Sequence, residues 1–186
     1  MNAVVRIDDH DFAPVRLTGA DIVCMTRSGV LPEGRGFELI EGVLVEMAAQ
    51  LGPHVKAIHT LMRKLIVLVP DDWAVSPAPS LFLSDTTMLE PDICIFPASM
   101  EGPDVRGPDL ALVIEVSDST LRNDLGKKAQ LYAAHGVRDY WVIDVTGERL
   151  HRHSEPGPDG YGKIVVSGPG EGAVLPPTGE TLHIFG

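Results

Sequence analysis

The clearest structural pattern of this chain lies in residues 110–144, which read LALVIEVSDSTLRNDLGKKAQLYAAHGVRDYWVID. The short apolar runs at 110–116 and 139–144 are typical of interior strands that are covered on both faces. Between them, apolar residues at helical spacing begin near Leu121 and end before His135-Gly136, which predicts a helix. A strand, a helix and a strand in this order predict two parallel strands joined by a right-handed crossover.

The rest of the chain contains one further interior strand and several elements that would pack around it. The patterns predict a helix over 19–28 that begins at a Thr18–Asp21 capping box, a hairpin over 37–47 with its turn at Glu41-Gly42, a helix over 53–70, a strand over 92–96 and a hairpin with its turn at 157–160. We therefore expect an α/β (mixed α+β) fold with a central mixed sheet, flanking helices and additional hairpins. Residues 1–186 are expected to form one domain, with 1–17 as an N-terminal extension.

The composition limits where this protein acts and what it binds. The chain has 15 Lys or Arg against 26 Asp or Glu, a formal charge of −11, and 44% hydrophobic residues. No apolar run approaches the roughly 18 residues of a membrane-spanning helix, and residues 1–11 lack the apolar core of a signal peptide. We expect a cytoplasmic protein with no membrane partner. Because an acidic surface repels phosphates, any contact with nucleic acid must be made through a local cleft.

Two acidic residues stand at positions where the pattern is otherwise apolar. Asp92 opens one apolar run after Pro91, and Glu115 lies inside another. An ionised carboxylate without a partner is expensive to bury. Two carboxylates at the ends of neighbouring strands make an oxygen site for Mg²⁺, which prefers one or two carboxylates together with water and phosphate. The alternative, for either residue alone, is a carboxylate at a solvated strand end or one that caps a backbone turn.

The helix that follows Glu115 carries two adjacent lysines. At about 100° per residue, Lys128 falls on the same side of the helix as Leu121, Leu125 and Tyr132, whereas Lys127 points roughly 120° away. Lys128 is therefore predicted to face inward. Its long side chain would then either extend so that the ammonium group reaches water, or stay inside and contact anions. An Asp, a Glu and a Lys that converge on one cleft suit metal-dependent hydrolysis of a phosphodiester.

Several motifs, in this order along the chain, resemble a known family. They are Phe37-Glu38-Leu39-Ile40-Glu41-Gly42, Pro91-Asp92, Glu115-Val116-Ser117-Asp118-Ser119-Thr120, Asp124-Leu125-Gly126-Lys127-Lys128 followed by Tyr132, and Tyr140-Trp141-Val142-Ile143-Asp144. The chain, from about Thr18 onward, resembles the bacterial "putative restriction endonuclease" family of the Uma-two type, a domain of unknown function within the PD-(D/E)XK nuclease superfamily. The resemblance implies a restriction-endonuclease-like core. Because many nucleases that cut both strands act as symmetric dimers, a two-fold dimer is the expected assembly.

The resemblance also implies roles for individual residues. Asp92 and Glu115 take the metal-ligand positions, with Mg²⁺ or Mn²⁺ as the metal. Lys128 corresponds to the superfamily lysine, moved onto the helix, while Ser117 occupies the usual lysine position. Three accessory residues are expected near the cleft: Ser117, Glu38 as an additional acid, and His54 from the helix over 53–70.

Three functions remain open from the sequence. The leading one is a metal-dependent DNA endonuclease in which Asp92 and Glu115 bind the metal and Lys128 is the catalytic cation. The second is a non-catalytic module that binds nucleic acid or protein, which the charge of −11 and the displaced lysine favour. The third is a metal-dependent hydrolase of a small phosphorylated substrate. Two alternatives to site roles stay open: His54 as a structural histidine, and Ser119, Thr120 and Asp124 as helix caps rather than hydrogen-bond partners of the metal ligands.

Overall fold

The computed structural model describes residues 14–32, 36–47, 50 and 52–185. Most of the predicted N-terminal extension therefore lies outside the described residues. Helices are α1 (Gly19–Arg27), α2 (Gly52–Leu68), α3 (Leu121–Asn123) and α4 (Ala129–Ala134), with a π-helical turn at Asp124–Lys128 between the last two and 3₁₀ turns at Gly102–Asp104 and Gly107–Asp109. None of the helices in these ranges has both the length and the apolar character that a bilayer crossing requires.

The strands of the described chain form three sheets. Their bounds are β1 (Phe37–Ile40), β2 (Val43–Glu46), β3 (Trp73–Pro77), β4 (Leu81–Ser84), β5 (Thr87–Leu89), β6 (Ile93–Pro97), β7 (Leu112–Ser117), β8 (Asp139–Asp144), β9 (Arg149–Gly157), β10 (Gly160–Ser167), β11 (Gly172–Val174) and β12 (Thr181–His183). The central sheet has the order β10-β9-β8-β7-β6-β3. Its neighbours are antiparallel except β7 and β8, which are parallel and pair Ile114 with Trp141. The predicted mixed sheet with a parallel pair is confirmed.

The central sheet is covered on both faces, which explains its uninterrupted apolar strands. On one face, Leu61 and Leu65 of α2 pack in a core cluster with Ile93 and Ile114. On the other face, Tyr132 of α4 shares a second cluster with Cys94 and other side chains of the same strands. Because successive strand residues point to opposite faces, both faces need apolar residues and no polar alternation remains.

A second sheet, of order β2-β1-β5-β4, contains β5, the strand that precedes Asp92 in the chain. Its hairpin turns at Glu41 and Gly42, both at positive φ, as the sequence predicted. The Thr18–Asp21 capping box of α1 is present, with each side chain bonded to the other residue's backbone. The strands β3, β4 and β5 were not predicted, because they are only three to five residues long and a register shift near Phe82 interrupts the pairing of β4 with β5.

The helix predicted over 121–134 is not regular. It contains the π-helical turn Asp124–Lys128, which a helical-wheel pattern does not reveal. In that turn Asp124 is buried, and its carboxylate accepts hydrogen bonds from the hydroxyl groups of Ser117 (2.7 Å) and Thr120. Thr120 lies at the N-cap position of α3, as expected, but its side chain makes no capping hydrogen bond, because it donates to the carboxylate of Asp124 instead.

Candidate active site

Asp92 and Glu115 lie at the ends of adjacent strands. The antiparallel pairing of β6 and β7 places Ile93 beside Ile114, and one further step places Asp92 opposite Glu115. Both side chains are buried, with 5% and 4% exposure. The backbone N–H of Val116 donates to Asp92 Oδ2 at 2.7 Å, which fixes the Asp92 carboxylate against the end of β7. The structure thus brings the two predicted metal ligands together, and their role as ligands stays a prediction.

His54 and Gln50 contact the other side of Asp92. His54 projects from the first turn of α2, and its Nε2 lies 3.1 Å from Asp92 Oδ2, while the amide of Gln50 donates to Asp92 Oδ1 at 3.2 Å. The hydrogen bond to Asp92 raises the pKa of His54 despite the opposing effect of burial. His54 Nδ1 is buried without a hydrogen-bond partner among the described residues. His54, the predicted accessory histidine, therefore contacts Asp92 through Nε2, while its Nδ1 makes no hydrogen bond to the described residues.

Glu115 is bound by two donors from the helical segment above the sheet. Lys128 Nζ donates to Glu115 Oε1 at 3.0 Å and Tyr132 Oη donates to the same oxygen at 2.9 Å. Burial raises the pKa of Glu115 to about 8; Lys128 opposes this, and the nearby charge of Asp92 adds to it. The ionised form of Glu115 is therefore costly in this pocket, and an additional cation would stabilise it.

Lys128 joins two acidic residues in the interior. It is 6% exposed, and its Nζ lies 2.8 Å from Glu38 Oε1 as well as 3.0 Å from Glu115 Oε1. Burial acts to lower the pKa of Lys128, but the two carboxylates outweigh it and raise the pKa overall. Glu38 Oε1 also accepts a hydrogen bond from the backbone N–H of Glu90. Lys127 is exposed, so the predicted orientation of the two lysines is confirmed.

Ser117, the sixth candidate residue, contacts this cluster indirectly. It is fully buried, and its hydroxyl donates to Asp124 rather than to Asp92 or Glu115. The backbone carbonyl of Asp124 in turn accepts a hydrogen bond from Tyr140 Oη at 2.9 Å. Ser117 therefore contributes to the position of the π-helical turn that contains Lys128.

These side chains border a cleft of about 300 Å³. Among the described residues, carboxylates outnumber cationic side chains in its wall, which contains Glu38, Glu46, Asp92, Glu115, Asp118 and Asp124 beside Lys128 and His54. The same part of the chain has no group of three or more His, Cys, Asp or Glu residues arranged around a single metal position. Asp92 and Glu115 are the two residues of this wall that could hold a divalent cation together with water.

The sequence did not identify three residues of this cluster. Tyr132 was placed on the inward stripe of the helix without a role of its own, because aromatic residues on such a stripe usually belong to the core. Asp124 was assigned to a cap because Asp is common at helix ends. Gln50 lies outside any periodic pattern. The one available signal was the four-residue spacing of Asp124, Lys128 and Tyr132, which places three polar atoms on one face of the helix.

Comparisons with known proteins agree with this fold. The profile of the Uma2 family, described as "Putative restriction endonuclease", matches residues 25–184. A comparison with curated proteins returned no match. A solved structure, described as a putative nuclease belonging to DUF820 from Anabaena variabilis ATCC 29413, superposes with a TM-score of 0.69 at 17% identity, over 92% of this chain and 96% of that chain. This likeness confirms the predicted mixed fold, and the family match covers most of the chain. The chain therefore belongs to the Uma2 family.

Proposed function

We propose that this protein is a metal-dependent DNA endonuclease of the PD-(D/E)XK type. Membership of a family described as restriction endonucleases supports nuclease activity. The observation that carries the proposal is the convergence of Asp92, Glu115 and Lys128, which are distant in sequence, in the wall of one cleft. Buried ionisable groups with shifted pKa values in a cleft are a physical signature of functional sites.

Asp92 and Glu115 would hold Mg²⁺ or Mn²⁺ in this proposal. Asp92 is already oriented by Val116, His54 and Gln50, so little rearrangement is needed before it binds a cation. When bound, the metal would lower the pKa of an attacking water and offset the charge of the scissile phosphate. His54 would act through Asp92, which it keeps in place.

Lys128 would supply a fixed positive charge beside the phosphate. Its ammonium group is held between Glu38 and Glu115, so its position is set before substrate arrives. A preorganised cation in a site that excludes water stabilises developing negative charge more strongly than one in solution. Glu38 is the accessory acid in this arrangement, because it contacts Lys128 from the second sheet. Ser117 would support the helix turn through Asp124.

DNA is the proposed substrate, reached through the cleft rather than through an extended basic surface. The family description supports a nucleic-acid substrate. The net charge of −11 requires that the contact be local. An enzyme that cuts both strands of a duplex commonly does so as a two-fold dimer, and we propose that assembly for this protein.

The test is a nicking assay on supercoiled plasmid with Mg²⁺ or Mn²⁺, combined with calorimetry of Mn²⁺ binding. We expect metal-dependent nicking by the parent, and loss of both nicking and metal binding in Asp92→Asn and Glu115→Gln. Asp159→Asn, which changes an exposed acid in the β9–β10 turn, is the matched control and should behave as the parent.

The other outcomes separate the alternatives. Metal binding without nicking would contradict the DNA endonuclease and favour a hydrolase of a small phosphorylated substrate. Neither metal binding nor nicking would favour a non-catalytic interaction module. If both active-site variants bind metal like the parent, the proposed metal ligands are wrong.

A further inference from the structure

Tyr132 makes a contact that packing does not require. Its ring is fully buried in α4 and packs against Tyr140 with a centroid distance of 4.8 Å. A phenylalanine would fill the same volume. The hydroxyl group, however, donates to Glu115 Oε1 at 2.9 Å, so a fully buried side chain directs its polar atom at a proposed metal ligand.

Two donors approach the same oxygen of Glu115. Lys128 and Tyr132 are four residues apart and therefore lie on one side of the helical segment, from which both donate to Oε1. No donor among the described residues bonds to Oε2, although Glu115 lines the cleft. The two hydrogen bonds to Oε1 thus fix the orientation of the carboxylate. Oε2 is the oxygen that remains for another partner.

We infer that Tyr132 is a positioning residue, which holds the Glu115 carboxylate so that Oε2 is available to the divalent cation. This inference rests on the proposed function, because it assumes that Glu115 binds metal. Partners of metal ligands fix the orientation of the ligand, and their removal typically weakens metal binding by tenfold or more. Tyr132 itself touches neither metal nor substrate in this assignment.

Calorimetry of Mn²⁺ binding to Tyr132→Phe tests the inference without depending on activity. We expect about tenfold weaker binding, because the ring is retained and only the hydroxyl is lost. Tyr161→Phe is the matched control. Its hydroxyl donates to the backbone carbonyl of Val137 at 2.9 Å and its ring also stacks on Tyr140, but it does not contact Glu115. This control should bind Mn²⁺ like the parent.

A second readout distinguishes positioning from a general loss of structure. If Tyr132 acts only through Glu115, nicking by Tyr132→Phe should return to the parent rate at high Mn²⁺ concentration, with an unchanged KM for DNA. Misfolding would not be rescued in this way. Near-UV circular dichroism should show native packing in both variants.

The outcomes separate this inference from the proposed function. If the parent does not bind Mn²⁺, both are wrong. If the parent binds Mn²⁺ and Tyr132→Phe binds it equally well, only the positioning role is overturned. A Tyr132→Phe chain that fails to fold also overturns it, because the hydroxyl would then serve the fold. Weaker binding in Tyr132→Phe alone, rescued by added metal, supports it.

Discussion

Glu115 makes the stability of the metal-free protein depend on pH. Its pKa is about 8 in the folded protein against a usual value of 4.5, so between these values the folded state holds a proton that the unfolded state has lost. The free energy of unfolding must then fall as the pH rises from about 5 to 8, by several kcal/mol at most. The measurement needs a chelator, because a bound cation would favour the ionised form of Glu115 and reverse the dependence of stability on pH.

Glu115→Gln removes this contribution and is the variant to compare. Urea unfolding at several pH values should show a smaller decrease for Glu115→Gln than for the parent, and at pH 8 the variant should be no less stable. The raised pKa of His54 acts in the same direction, but it is present in both proteins and largely cancels in the difference. Parallel pH profiles for the two proteins would contradict the shifted pKa.

The two adjacent lysines should respond very differently to substitution. Lys128→Ala would leave Glu38 and Glu115 buried without their cation, which costs about 3–5 kcal/mol. Lys127→Ala alters an exposed side chain and should change stability by less than about 0.5 kcal/mol. We expect cleavage to be lost only in Lys128→Ala, measured by plasmid nicking at a temperature where circular dichroism shows both variants folded. Equal losses of activity would contradict the assigned role.

The π-helical turn shows which parts of the site a helical wheel can predict. The wheel predicted that Lys128 is inside and Lys127 outside, and the structure confirms both, although Lys128 is the last residue of the π-helical turn. The sequence favoured a helix cap for Asp124, and the structure shows instead that its side chain is buried. Its hydrogen bonds to Ser117 and Thr120 depend on the end of β7, a contact that no local pattern contains.

Gly126 within this turn can be tested against a glycine in a crowded position. A Cβ at Gly126 would meet no neighbouring atom within 4 Å, whereas one at Gly107 would overlap the carbonyl oxygen of His135. Gly126→Ala should therefore raise the free energy of unfolding by about 0.5–1 kcal/mol, because alanine restricts the unfolded chain. Gly107→Ala should lower it.

Thermal and urea unfolding measure both changes. Nicking by Gly126→Ala should stay at the parent rate, since no site residue contacts the new methyl group. A destabilised Gly126→Ala would mean that the turn needs a glycine conformation.

The sequence predicted the central sheet better than the sheet beside it. The apolar strands β6, β7 and β8 were recognisable because helices cover both of their faces. The strands β4 and β5 are short and their pairing is non-local, so propensity alone did not identify them. Glu38 lies in this second sheet, whose pairing is non-local, so the sequence predicted it only as an acid near the site. Its ion pair with Lys128 depends on how the second sheet packs against the π-helical turn.

The distribution of charge over the whole molecule limits how it can hold DNA. Among the described residues, the exposed cations are not gathered on one face: Lys56 and Arg63 lie on α2, and Arg122 and Lys127 lie on the helical segment that covers the opposite face of the central sheet. Lys128 is buried against two acids and does not add to the surface charge. A single DNA backbone can therefore contact only a few cations at once, and binding should need the metal to bridge carboxylates and phosphate.

Binding should consequently depend weakly on salt. At about −0.9 per neutralised phosphate, two to four contacts give a slope of log affinity against log salt of about −2 to −4. Filter binding of a DNA duplex at increasing salt measures this slope, with Ca²⁺ to support binding without cleavage. The same series in chelator should show binding too weak to quantify. Tight binding in chelator with a steep slope would contradict the metal bridge, because it would require many cations on one face of a protein whose net charge is −11.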